Sequence, residues 1–274
     1  MTEKEFREKE RHSGIKKAAA KSKKRKKKRA LITLSVTLLM LLSLLVVIIG
    51  VSVFKVENIT VLGNSIYTAE QVIEASEIQI GDSIFLISEK TESEKLQKIL
   101  PFIDKVTLKK TFPSTLTIEV LETEEAMCFY SDGVYYTASE TGKILSQSLT
   151  QPDELAVIVT GDGCTFTMGE KYACNNEQKS ALLERLLTFA KQDETQITLI
   201  NVSDIYRSYF VIDNRIAVEL GSASYLEQKL EFLPKMLQSM SGTEHNVADL
   251  GGWTPDNDEA ISYQKKLDAY FQYK

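Results

Sequence analysis

Leu31-Ile-Thr-Leu-Ser-Val-Thr-Leu-Leu-Met-Leu-Leu-Ser-Leu-Leu-Val-Val-Ile-Ile-Gly-Val-Ser-Val-Phe54 contains no Asp, Glu, Lys or Arg in its twenty-four positions. As a helix it rises about 36 Å at about 1.5 Å per residue, enough to cross a hydrocarbon core of about 30 Å. A core helix keeps a polar stripe, and this run has none. A cleavable signal peptide has a shorter apolar region that ends in a small-x-small site. Here bulky residues surround the only late small positions, Gly50 and Ser52. Residues 31–54 therefore read as an uncleaved transmembrane helix.

Charge is distributed unevenly about that helix. Residues 1–30 carry fourteen Lys or Arg and four acids, whereas the whole chain has a formal net charge of −5. Lysines and arginines flanking a span stay on the cytoplasmic side. Lys23, Lys24, Arg25, Lys26, Lys27, Lys28 and Arg29 thus set the expected topology: a basic cytoplasmic tail, 1–30, and about 220 residues outside. The basic run also has the composition of a nucleic-acid arm. Its position against the apolar helix favours topology and anionic-lipid contact instead, with no nucleic-acid partner.

Beyond the span, Val56 to Leu62 alternates as a strand and stops at Gly63-Asn64. Thr68-Ala-Glu-Gln71 is a capping-box signature for a short helix whose apolar face is Val72, Ile73 and Ala75. Gly81-Asp82 is a turn, and Ser83 to Leu86 a short extended piece. A second helix runs from about Thr91 to Leu100, with Leu96, Ile99 and Leu100 at helical spacing, and Pro101 ends it. Lys105 to Lys109 and Thr115 to Val120 then form a hairpin around Thr111–Ser114. Val106 and Leu108 share one face, as do Leu116, Ile118 and Val120. The order β-α-α-β-β predicts an α+β domain over 55–123.

The runs Val61-Leu-Gly-Asn-Ser65, Gly81-Asp-Ser-Ile-Phe85, Leu100-Pro-Phe-Ile-Asp-Lys-Val106 and Phe112-Pro-Ser-Thr-Leu-Thr-Ile118 resemble the POTRA domain of the FtsQ/DivIB family of bacterial cell-division proteins. Their order, directly after a single span with a basic flank, carries the resemblance. Phe102 stands where many members carry Trp. The family pattern implies a second, mixed β-rich domain with two helices.

That domain is expected over 124–253. An Asp132-Gly133 turn joins a hairpin of residues 124–130 and 134–137. Leu155 to Thr160 is a buried-type strand, and Gly161-Asp-Gly163 is its turn, since no Lys-Ser/Thr follows to complete a phosphate loop. A helix is expected over Asn176–Gln192 with Leu182, Leu183, Leu186, Leu187 and Phe189 inward. Strands follow at 197–202, 206–212 and 215–220. A second helix, Ala223–Ser239, presents Leu226, Leu230, Leu233 and Leu237 and is expected to kink or shorten at Pro234. Arg215 to Gly221, Leu226 to Leu230 and Val247 to Leu250 are similar to the same family's second domain. Residues 254–274 read as a polar tail or short amphipathic helix.

The chemistry-bearing residues form no active-site pattern. His245 is the only histidine beyond the span, and no Ser or Cys nucleophile is paired with it in sequence. Cys128, Cys164 and Cys174 lack metal-ligand spacing; Cys164 and Cys174 either pair or are small buried side chains. No cofactor is expected. The resemblance implies a non-enzymatic assembly scaffold at the division septum that binds single-span proteins of the FtsL and FtsB/DivIC type. A cell-wall enzyme and a POTRA module handling transported polypeptides are the alternatives. The partner site is expected at Asn246, Val247, Ala248, Asp249 and Leu250, read as the sheet's free last strand, with Trp253 as core, cap or binding anchor.

The charge asymmetry predicts that protease added to wall-stripped intact cells digests residues 55–274 and spares a fragment ending near residue 54. Immunoblotting with tags at the two ends reads the result.

Overall fold

A computed structural model describes residues 31–192, 196–240, 246–257 and 260–272. The basic tail, with Lys23 to Arg29, and His245 lie outside the described residues. The chain divides into two compact units. The first contains helix α1, Leu31–Val53, together with the nearby stretches 55–59, 79–88 and 110–116. The α1 side chains are exposed from Leu31 through Ile49, as expected for a segment whose solvent is lipid.

The POTRA elements follow the expected order: β1 (Asn58–Leu62), α2 (Ala69–Ser76), α3 (Glu89–Ile99), β2 (Ile103–Thr111) and β3 (Thr115–Glu122). Their sheet runs β1-β3-β2. Val106, Leu108, Leu116, Ile118 and Val120 are buried at alternate positions, so the inferred register is correct. Thr68 caps α2: its hydroxyl accepts from Gln71 N at 3.3 Å, and its N–H donates to Gln71 Oε1 at 2.8 Å. Gly63 sits at φ +82°, and a Cβ there would lie 2.2 Å from the Val120 carbonyl oxygen. The Glu122 carboxylate gathers the N–H groups of Ser65, Ile66 and Tyr67 at 2.7, 2.6 and 3.1 Å. The Gly-Asn-Ser motif is thus a tight backbone crossing anchored on one acid.

One local expectation fails here, and α3 adds a packing detail. Ser83 makes only an isolated bridge to Lys55, and the chain then turns instead of extending. Ile99 is exposed while Leu96 is fully buried, so α3 packs one narrow line of contacts.

The second unit holds a nine-stranded sheet in the order β14-β13-β12-β11-β10-β7-β4-β5-β6. Its strands are β4 (Met127–Ser131), β5 (Val134–Ala138), β6 (Ile144–Ser148), β7 (Val157–Val159), β10 (Ile197–Asn201), β11 (Ser208–Ile212), β12 (Ile216–Gly221), β13 (Asn246–Asp249) and β14 (Ile261–Gln264). Hairpins β4/β5 and β11/β12 turn on Asp132-Gly133 and Asp213-Asn214, all four at positive φ, as type I′ turns require.

The pairs β7/β10 and β12/β13 are parallel. Parallel neighbours need a crossover, and α4 (Glu177–Gln192) and α5 (Leu226–Ser239) provide it. Leu182, Leu183, Leu186 and Phe189 of α4 and Leu230, Leu233 and Met236 of α5 share one core with Phe129, Ile158, Phe210, Val218 and Ala248. Pro234 does not end α5, which continues to Ser239. Before α4, Cys164 and Cys174 face each other in the ribbon β8 (Cys164–Thr165) and β9 (Ala173–Cys174) and form a disulfide. Lys143 donates to the Ile103 carbonyl at 2.6 Å, and Thr123 N to the Phe102 carbonyl at 2.8 Å. The start of β2 is thereby tied to the residue before β6 and to the segment between β3 and β4.

Leu116 is fully buried and Thr117 partly exposed on the other face. Leu116→Ala is expected to cost about 2–5 kcal/mol of stability and Thr117→Ala far less. Denaturant unfolding of the two variants measures the difference.

Candidate functional site

The expected free strand is not at the edge. β13 pairs with β12 from Ile216↔Asn246 to Glu219↔Asp249, and on its other side with β14 from Asn246↔Gln264 to Asp249↔Ile261. Asn246, Val247, Ala248, Leu250 and Trp253 are buried, and Asp249 is half-buried. The physical reason is the α5 crossover. It lays β13 beside β12; the chain then turns at Thr254–Asn257 and returns antiparallel. Residues expected to form a tail set apart from the sheet supply its last strand. Among the described residues no strand lies outside β14, and all four of its side chains are exposed.

Two contacts hold this corner together, one on each sheet face. On the helical face, Trp253 stacks on Phe232 of α5, with ring centroids 5.5 Å apart. On the opposite face, Leu267 and Tyr270 of a 3-10 turn (Leu267–Phe271) pack with Leu199, Val211, Ala217 and Val247. The Tyr270 hydroxyl donates to Glu219 on β12. Tyr209 OH donates to the Tyr270 carbonyl at 2.8 Å, and Asn201 Nδ2 donates to Tyr209 OH at 3.0 Å. Burial, then the Glu219 carboxylate, pushes the Tyr270 hydroxyl above the ordinary tyrosine range. The Lys265 ammonium lies 5.0 Å from the Tyr270 ring centre. A cleft of about 510 Å³ opens here, lined by Arg207, Tyr209, Glu219, Asp249, Lys265 and Tyr270.

The other displaced titrations have structural causes. Lys179 donates to the carbonyls of Thr160 and Asp162 at 2.7 and 2.9 Å, and Lys229 to that of Leu220 at 2.7 Å. Burial lowers both ammonium pKa values. Burial raises Cys128 to about 12, so that thiol is not a ready nucleophile. Arg185 and Glu227 form a two-bond pair at 2.6 Å between α4 and α5. Among the described residues no group of His, Cys, Asp or Glu is placed to hold a metal ion.

The chemical offer of the corner is therefore a strand edge with two exposed apolar side chains, Ile261 and Tyr263, on a fixed base. Sequence reasoning took β13 for the sheet edge, and the observed edge is one strand further out. Every β14 side chain is exposed, so no alternation marks Ile261-Ser-Tyr-Gln264 as a strand.

Comparison with known proteins matches residues 54–123 to the FtsQ-type POTRA domain. The cell division protein DivIB of Bacillus subtilis (strain 168) is 27% identical over 199 residues, covering 72% of this chain and 71% of that protein. DivIB of Clostridium botulinum (strain Hall) is 25% identical over 185 residues, covering 65% and 70%. The cell division protein FtsQ of Corynebacterium glutamicum is 31% identical over 96 residues, covering 35% and 43%.

A hydrogen bond to a charged group contributes about 1.5–3 kcal/mol. Tyr270→Phe is expected to speed amide exchange of Ile261–Gln264 by roughly 10- to 100-fold while the β10–β12 amides keep their protection. The wild-type bond has a definite pH sign. Because the folded pKa of Tyr270 is raised, its contribution is complete below about 10, the ordinary tyrosine value, and is lost as pH rises beyond it. Exchange from pH 8 to 11, corrected for the intrinsic rate, tests both statements.

Proposed function

The chain belongs to the FtsQ/DivIB family of bacterial cell-division proteins, and from that premise we propose that it is a non-enzymatic scaffold of the division machinery. It is membrane-anchored by α1, with the basic tail in the cytoplasm and both folded domains outside. Its partners are other single-span division proteins of the FtsL and FtsB/DivIC type, which it holds together at the septum. The observation that carries this reading is the exposed strand β14 on the edge of the large sheet.

A sheet edge offers main-chain donors and acceptors to an added strand. We place the partner strand on the outer side of β14, with Ile261 and Tyr263 as its side-chain contacts. Asn246, Val247, Ala248, Asp249, Leu250 and Trp253 act from behind. They seat β13, and β13 fixes the line of β14. The lipid partners of this reading are those around α1 and its basic flank.

Successive N–H groups on β14 point to opposite sides. Of Ser262→Pro and Tyr263→Pro, one removes an outward donor and the other a donor to β13. The expectation is that one abolishes capture of the FtsL- and DivIC-type proteins with the melting temperature unchanged within a few degrees, while the other lowers that temperature. Photocrosslinking in cells from position 261, with position 148 on the opposite edge strand as reference, reads the capture. Capture that survives both prolines places the contact elsewhere.

A further inference from the structure

The first unit carries a second exposed surface. Ile80, Phe85, Leu86 and Phe112 are 74%, 51%, 73% and 52% exposed. They occupy two neighbouring stretches, the loop 79–86 and the hairpin tip 111–114. Phe54, Phe85 and Phe112 form a ring triangle with centroids 5.3–5.7 Å apart. Isolated exposed apolar residues are ordinary, but a contiguous group of large ones marks an interaction surface.

Its position identifies the occupant. Phe54 follows the last residue of α1. A Cβ at Gly50, one turn inside the span, would lie 4.0 Å from the Phe85 ring. Phe85 therefore reaches back to the level of the span's last turn. The loop cannot drift from that level, because it is clamped to the chain leaving the span. Ile84 N donates to the Phe54 carbonyl at 3.1 Å, Val56 N to the Asp82 carbonyl at 2.8 Å, and Gly81 N to the Val56 carbonyl at 2.8 Å. On the other strand of exit, Glu57 N donates to the Ser114 carbonyl at 2.9 Å. Aromatic side chains beside a span end favour the headgroup region, where an apolar body and a wet rim are both accommodated. Lys55, exposed beside the triangle, supplies a positive charge at the same level.

We propose that the loop 79–86 and the hairpin tip 111–114 are a membrane-docking face, inserting Ile80, Phe85, Leu86 and Phe112 into the interface of the leaflet from which α1 emerges. This rests on α1 being a membrane anchor. Its consequence is that the loop 79–86 and the hairpin tip 111–114 are held against the bilayer by a clamp and a footing, not by a free linker.

The test uses the full chain in vesicles of phosphatidylglycerol and phosphatidylethanolamine with brominated acyl chains, which quench tryptophan on contact. Leu86→Trp reports on the loop and Ile48→Trp on the span; the emission of the wild-type chain, from Trp253 alone, is subtracted. The proposal expects both reporters to lose more than half of their emission. Adding Ile80→Asp and Phe112→Asp to the Leu86→Trp protein should at least halve the loop quenching, and added to the Ile48→Trp protein should leave the span quenching unchanged. A quenched span with an unquenched loop overturns the proposal and leaves the anchor standing. An unquenched span overturns the anchor and the proposal with it. Loop quenching that is indifferent to both aspartates overturns the docking face, since the reporter then meets lipid by its own insertion.

Discussion

Parallel strand pairing is the constraint on which the second domain depends. Two strands that run the same way cannot be joined by a tight turn: β4/β7 are bridged through β5 and β6, and β7/β10 and β12/β13 by helical crossovers. The two crossovers are built alike. Each helix sends one buried lysine from its first turn to carbonyls at the end of the strand that opens its crossover: Lys179 to Thr160 and Asp162 after β7, Lys229 to Leu220 of β12. An ammonium ion taken from water is tolerated only where such acceptors surround it. Each lysine thus ties the first turn of its helix to the strand end from which the crossover departs. The same logic buries β13: a strand delivered by a crossover next to β12 presents its far side to whatever chain follows, and the chain that follows is β14.

Much of this was legible in the sequence because it was written in strong local signals. The alternation at Val106, Leu108, Leu116, Ile118 and Val120 fixed both register and face in the hairpin, since a slip of one residue would expose all five. Thr68 and Gln71 announced their helix start, and Asp132-Gly133 its turn. The segments that escaped notice share a different property. In β6, Ile144-Leu-Ser-Gln-Ser148, two adjacent buried residues are followed by polar ones, which is neither alternation nor a continuous apolar run. β14 is exposed throughout, and its place is set by pairing with β13, not by its own side chains. Leu267 and Tyr270 looked scattered in a polar stretch because their partners, Ala217, Val247 and Tyr209, lie on other strands, well upstream in the chain. Tertiary context decided these elements, and spacing carries no trace of it.

Two helical details show what the local rules of helix formation leave open. Pro234 lacks an N–H, yet α5 runs through it; Leu230, Leu233 and Met236 are buried on either side of it, and that packing outweighs one missing bond. Ile99 sits at helical spacing from Leu96 and is exposed all the same. Spacing predicts which residues share a face, but the width of that face depends on what the helix meets.

The size of the β14 edge sets a requirement on anything that binds it by strand addition. Four residues, half of them pointing outward, can offer at most four main-chain bonds. At a net value of about 0.5–1.5 kcal/mol each, these contribute roughly 2–6 kcal/mol. A complex with a Kd of 1 μM requires about 8.2 kcal/mol, after the cost of association has been met. Main-chain pairing alone is therefore insufficient, and side chains must supply the remainder. Ile261 and Tyr263 are the exposed apolar side chains on β14, and alternation puts them on one face of the sheet, the face that also bears Glu219 and Asp249 through the register Asp249↔Ile261 and Glu219↔Asp249. A partner that meets the requirement brings apolar residues to Ile261 and Tyr263 and a basic one toward the two carboxylates. A partner strand offering only backbone, or acids at that face, falls short by several kcal/mol. Selectivity at this edge is therefore a property of the β12–β13–β14 face as a whole.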